Sequence, residues 1–96
     1  MAINISLVNF TDNGMTNIKD SPKRAAAFRE LAKKHGVTVR DIYWTSGQFD
    51  MVVITTGTDE ALATVLLSVA KLGNIRTQTL QAMDQETFQR VLAKVD

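Results

Sequence analysis

The chain has no cysteine, and among its 96 residues there is one histidine, one proline and one tryptophan. Without cysteine there is no disulfide, no thiolate metal site and no cysteine nucleophile. A lone histidine, His35, also rules out an all-protein zinc site built from the usual nitrogen and sulfur ligands, so no metal and no cofactor is expected. The formal net charge is only +1, and such a balance favours neither nucleic acid nor an anionic membrane as a partner. Long hydrophobic runs are missing too. The longest mainly apolar stretch, residues 61–70, reaches about half of a ~20-residue membrane span. The opening MAINISLVNF carries no basic n-region and no small-residue cleavage site, so no signal peptide is expected and the cytoplasm is the expected location.

What is present is an ordinary globular composition, 45% apolar and 22% charged, which argues against disorder. Such a chain is expected to form one domain, residues 1–96, burying roughly 60–65% of the surface its unfolded form exposes. That core is modest, and assembly with another copy would enlarge it.

Periodicity assigns the elements. In INISLVNF, Ile3, Ile5 and Leu7 alternate with Asn4, Ser6 and Val8, a strand with one clearly apolar side. TDNG then signals a turn. SPKRAAAFRELAKKHG predicts a helix with Ser21 as cap, Pro22 at its first position and Gly36 in the left-handed position past its end. VTVRDIYWT and DMVVITT predict two strands, the second apolar on both sides and therefore central. TDEALATVLLSVAKLG predicts a second helix capped by Thr58 and ended by Gly73. Its apolar residues run nearly all the way round: Leu62, Val65, Leu66 and Val69 on one side, Ala63, Leu67 and Ala70 on another. Such a helix has more than one surface to pack against. NIRTQTLQAM predicts the last strand. DQETFQRVLAKVD predicts a short terminal helix capped by Asp84, with Phe88, Val91, Leu92 and Val95 at helical spacing. The order β-α-β-β-α-β plus a terminal helix is the split βαβ, ferredoxin-like arrangement: an α+β fold with an antiparallel sheet and its helices on one face.

Three stretches carry spare chemistry. In YWTSGQFD, alternation sends Tyr43 and Trp44 to opposite faces, Gly47 permits positive φ in the turn, and Asp50 suits a turn by accepting backbone N–H groups. The sharper alternative makes Asp50, desolvated by an aromatic neighbour, a general base and so the one catalytic candidate. In NIKDSPKR, Lys19, Ser21, Lys23 and Arg24 surround a predicted helix N-terminus, which is either a solvated, capped helix start or an anion site. In GNIRTQT, Asn74, Arg76 and Gln78 share one face of a strand. Arg76 needs a partner there: an acid such as Asp50 or Asp41, within the chain or across an interface, or an anionic ligand.

The chain resembles the GYD domain family along nearly its whole length. GQFD (residues 47–50) stands at the place of the family's glycine–tyrosine–aspartate turn, with Phe49 for the tyrosine. NIKDSPKR (17–24), YWTSG (43–47) and LGNIRTQTL (72–80) also match, in the right order. The resemblance implies a ferredoxin-like domain of the dimeric α+β-barrel type, in which the open sheet face of one chain covers that of another; it implies no particular activity. A ligand bond through a tyrosine hydroxyl at position 49 would be missing here.

The functional expectation is a small anionic or aromatic ligand in a pocket between sheet and helices, near Tyr43, Trp44, Asp50 and Arg76, with Asn74, Lys23 and Arg24 as further candidates. The alternatives are a cofactor-independent enzyme, monooxygenase or isomerase-like, and a purely structural assembly module. The partner expected in every case is a second copy, paired through the sheet face. RNA-binding domains share the strand order, but they display stacking aromatics on their central strands, and MVVIT has none.

Overall fold

The computed structural model describes residues 2–96; Met1 lies outside the described residues. The elements are β1 (Ala2–Phe10), α1 (Asp12–Thr16), a 3-10 turn (Ile18–Asp20), α2 (Ser21–Lys34), β2 (Thr38–Trp44), β3 (Met51–Gly57), α3 (Asp59–Ala70), β4 (Ile75–Ala82) and α4 (Gln85–Leu92). The four strands form one antiparallel sheet in the order β2-β3-β1-β4. β3 and β1 are therefore central, as the double-sided apolarity of β3 predicts. Helices α2 and α3 cover one face, giving the expected ferredoxin-like α+β fold.

Several predicted punctuation marks are present. Thr58 accepts the Ala61 N–H at 3.2 Å and Asp84 that of Thr87 at 2.8 Å. Gly36, Gly47 and Gly73 all take positive φ. Ser21 departs from expectation. The 3-10 turn runs straight into α2, so the capping position falls on Asp20, in helical conformation and with no side-chain cap bond. Freed from capping, the buried Ser21 hydroxyl accepts the Trp44 indole N–H at 3.0 Å.

The two sides of the sheet are unlike in an unexpected way. On β1 the side beneath the helices carries Asn4, Ser6 and Val8, all buried, while Ile3, Ile5 and Leu7 lie on the open side. Register extends both rows. Asn4 faces Thr55 and Gln81, and Ser6 faces Val53 and Thr79; on the other side Ile5 faces Ile54 and Leu80, and Leu7 faces Val52 and Gln78. Beneath the helices the apolar core is thus split in two. Ala32, Val37, Leu62 and Val65 form one cluster and Val8, Met51 and Val53 the other, with Phe28 and Val39 packed against both.

Candidate functional site

Small side chains stand where a core would ordinarily place large ones. Ser6 and Thr77 on the sheet, Ser21, Ala25 and Ala27 on α2, and Ser68 on α3 leave a cavity of about 170 Å³ between helices and sheet. Its walls are mainly apolar, with Phe10, Phe28, Leu31, Met51, Leu66 and Val69 among them. Ser6 spends its hydroxyl on Thr79, 2.9 Å away.

One end of the cavity is built from three distant segments. Thr11 caps α1 by accepting the Gly14 N–H at 3.2 Å and donates its own hydroxyl to the Gly73 carbonyl at 2.5 Å. The Thr11 N–H reaches the Asn74 carbonyl at 3.0 Å, and Asn13 Nδ2 donates to Asn74 Oδ1 at 2.7 Å. Position 14 has to be glycine here, because an added Cβ would sit 2.0 Å from the Asn74 carbonyl oxygen. Arg24 locks this assembly from the other side. It donates to the carbonyls of Asn17 at 2.9 Å and Gly14 at 3.2 Å, and its guanidinium carbon lies 6.0 Å from the centre of the Phe10 ring. Arg24, Ser21 and Asn74 all border the cavity.

The predicted residues separate into three places. Arg24 and Asn74 line the cavity, and Trp44 meets it through its bond to Ser21. Asn74 precedes β4 rather than lying on the strand beside Arg76. Asp50 ties the hairpin turn to β1: its Oδ2 accepts the Phe10 N–H at 2.9 Å and its own N–H bonds the Val8 carbonyl at 2.8 Å. Tyr43 and Arg76 lie on the open face at opposite edges of the sheet, since β3 and β1 separate their strands; at the usual strand spacing that is about 14 Å. Tyr43 bonds Asp41 Oδ1 at 3.3 Å, and Arg76 borders a shallow hollow with Asp12, Asn13 and Gly73. Arg76 pairs with neither Asp50 nor Asp41 within the chain, for the one ion pair among the described residues is Arg90–Glu86. Lys23 is exposed at the start of α2, which the 3-10 turn enters directly.

Sequence reasoning missed Ser6, Gly14, Phe28 and Ser68. Only Gly14 left a local mark, in TDNG, which announces a turn but not the backbone packed against it.

Among the described residues no helix is long and apolar enough to cross a membrane, and no group of acids and histidine is fit to bind a metal ion. Among solved structures, the feast or famine regulatory protein of M. tuberculosis, in complex with L-methionine, matches with a TM-score of 0.65 at 17% identity, over 88% of this chain and 52% of that one. The leucine response regulatory protein of Mycobacterium tuberculosis matches at 0.63 and 18%, over 88% and 51% of the two chains. The C-terminal domain of the MgtC protein from the same organism matches at 0.54 and 10%, over 84% and 86%. The chain spans about half the length of the two regulators, and at these identities the likeness is one of fold. No curated protein matches. The model of the GYD domain matches residues 5–92, nearly the whole chain, and the protein belongs to the GYD domain family.

Proposed function

We propose that the protein is a small-molecule-binding domain that works as a homodimer, with its ligand in the cavity between helices and sheet and its open sheet face covered by a second copy. The carrying observation is the cavity itself: about 170 Å³, apolar in its body and edged at one end by Ser21, Arg24 and Asn74. An apolar cavity of ~150 Å³ accommodates benzene, so this one suits a single ring or a short aliphatic chain. Arg24 has two N–H groups engaged with carbonyls, and a guanidinium carries five; the remainder suit a polar or anionic end of the ligand. A regulator of similar fold is known with L-methionine, a molecule of this form. Arg24 is the one ionisable residue in the lining, and Asp50 is engaged with the β1 backbone, so the lining supports binding over acid–base catalysis.

The second reading, a purely structural assembly module, is favoured by the apolar open face alone. Native mass spectrometry of protein purified without added ligand, followed by thermal unfolding with L-methionine and with single-ring aromatic carboxylates, separates the two. Binding predicts retained mass or a raised Tm; a ligand at 100 times its Kd adds about 2.7 kcal/mol. Both effects should vanish in Val69→Phe, which fills the cavity. A dimer with no retained mass and no shift for any compound would leave assembly as the function.

A further inference from the structure

Arg24 stands at the polar end of the cavity with no carboxylate to answer it. Its side chain is half-buried, and the one ion pair among the described residues, Arg90–Glu86, lies on α4. A cation held at the edge of an apolar space is stabilised by an anion. The hydrogen-bonding groups around it are unevenly engaged. The acceptors are occupied. The carbonyls of Asn17 and Gly14 receive Arg24 itself, the Gly73 carbonyl receives the Thr11 hydroxyl, and the Asn74 carbonyl receives the Thr11 N–H. Asn74 Oδ1 receives the Asn13 amide. The donors are left over. Arg24 uses two N–H groups of the five that a guanidinium carries. Ser21, 4% exposed, accepts the Trp44 indole N–H and donates its own hydrogen to none of the described residues. Asn74 Nδ2 likewise has no acceptor among the described residues. Deeper in, Ser6 is bonded to Thr79 and Ser68 donates to the Thr64 carbonyl at 2.7 Å.

We infer that the cavity selects a monocarboxylate with a short aliphatic or single-ring body and no ammonium group, its carboxylate held by Arg24, Ser21 and Asn74; the inference rests on the binding reading above and narrows it. Charge is the first reason. The lining carries one ionisable residue, Arg24, which balances a single negative charge, whereas a phosphate monoester brings about two. The second reason is the surplus of donors. A carboxylate accepts at both oxygens and donates nothing, which complements an end where donors are unengaged and acceptors are occupied. The same arrangement turns away an α-amino acid. Its ammonium sits one carbon from the carboxylate and would enter with three N–H groups to place. It would meet the positive charge of Arg24, occupied carbonyls and a lining without Asp or Glu, and an ammonium buried without partners is costly. A neutral alcohol would fill the same space but forgo the charge-assisted bonds, which are about twice as strong as neutral ones.

Hexanoate, hexanol and L-norleucine share one unbranched six-carbon skeleton and differ in these groups alone. Isothermal titration calorimetry of the full-length chain at neutral pH measures each of them. Emission from Trp44, the one tryptophan, reports occupancy through its bond to Ser21. Hexanoate should bind about tenfold more tightly than either of the others, should change the Trp44 emission, and should lose its site in Val69→Phe. Arg24→Gln should remove the preference for hexanoate over hexanol; if the loss of its bonds to Asn17 and Gly14 unfolds that variant, the three compounds on wild type decide alone. L-Norleucine bound as tightly as hexanoate overturns the inference and spares the binding reading. Hexanol bound as tightly as hexanoate does the same. Hexanoate that still binds Val69→Phe sits outside the cavity and also overturns it. No binding of any of the three overturns the inference, and the binding reading falls with it only when the single-ring carboxylates also leave the Tm unmoved.

Discussion

The two faces of the sheet differ in a way that burial alone would not set: beside the core residues Val8, Met51 and Val53, the covered face holds a row of small polar side chains. The covered face holds Asn4, Ser6, Thr55 and Thr79 in its central and β4 rows, and the open face holds Ile3, Ile5, Leu7, Val52 and Ile54. A lone domain would gain most by turning the second set beneath its helices, since each large aliphatic side chain withdrawn from water contributes about 1.5–3 kcal/mol. This chain leaves part of that gain unrealised within one copy, since the five side chains are only half-buried. What it obtains instead is a covered face with small, polar positions and hence a cavity, and an exposed face with the composition of an interface core ringed by Asp41, Tyr43, Gln78 and Arg76. The function proposed above would place binding and assembly on opposite sides of one sheet.

The comparison breaks most directly at Leu62, which is 4% exposed in the cluster beneath α3. Leu62→Ala should cost about 3 kcal/mol in urea unfolding, and the same at every protein concentration. Leu7→Asp, on the other side of the sheet, should act differently. Dilute protein should unfold almost as wild type does, while the dimer proposed above weakens by about 2 kcal/mol or more, some thirtyfold in Kd. Equal losses for both variants in dilute protein would mean that the open face is already packed within a single chain.

How much of this could be read beforehand follows the range of the interactions. Caps and turns depend on neighbours three or four residues away, and Thr58, Asp84, Gly36, Gly47 and Gly73 announce themselves. The alternation of β1 is just as plain, but alternation says only that two sides differ. Which side meets α2 and α3 depends on the hand of the crossovers, and a reader guided by hydrophobicity alone would put Ile3, Ile5 and Leu7 beneath them. Ser21 shows a local rule overridden by its surroundings: the turn at 18–20 removes the capping geometry, and Trp44, 23 residues on, claims the hydroxyl. The cavity end at Arg24 and Asn74 was partly visible, since both stood out as candidates. That Tyr43 and Arg76 lie across the sheet from one another was not visible, because strand order is a long-range property.

A subtler variant sharpens the comparison on the covered side. Asn4 Nδ2 and Thr55 Oγ1 are buried and have no hydrogen-bond partner among the described residues, and the two residues face each other across β1 and β3. An unmatched buried hydroxyl costs about 1 kcal/mol or more. Thr55→Val removes the hydroxyl at nearly constant shape and should raise stability by about 1 kcal/mol. A loss of similar size would show instead that a buried water serves both groups, and that the polar rows under the helices are satisfied.

The smallest effect belongs to Asp84, at the point where the chain leaves the sheet for α4. The Thr87 backbone N–H chiefly, with the Thr87 side chain, Arg90 and Arg40, holds its carboxyl below the ordinary value of 3.8. A carboxylate favoured in the folded state stabilises above its unfolded pKa, and that contribution is lost as pH falls through the lowered folded value. The cap of α4 should therefore be intact at neutral pH and loosen only in acid, visible as a drift of the 85–92 carbon chemical shifts as the pH falls below the ordinary carboxylate value. Asp84→Asn keeps a capping acceptor without the charge and should abolish that drift.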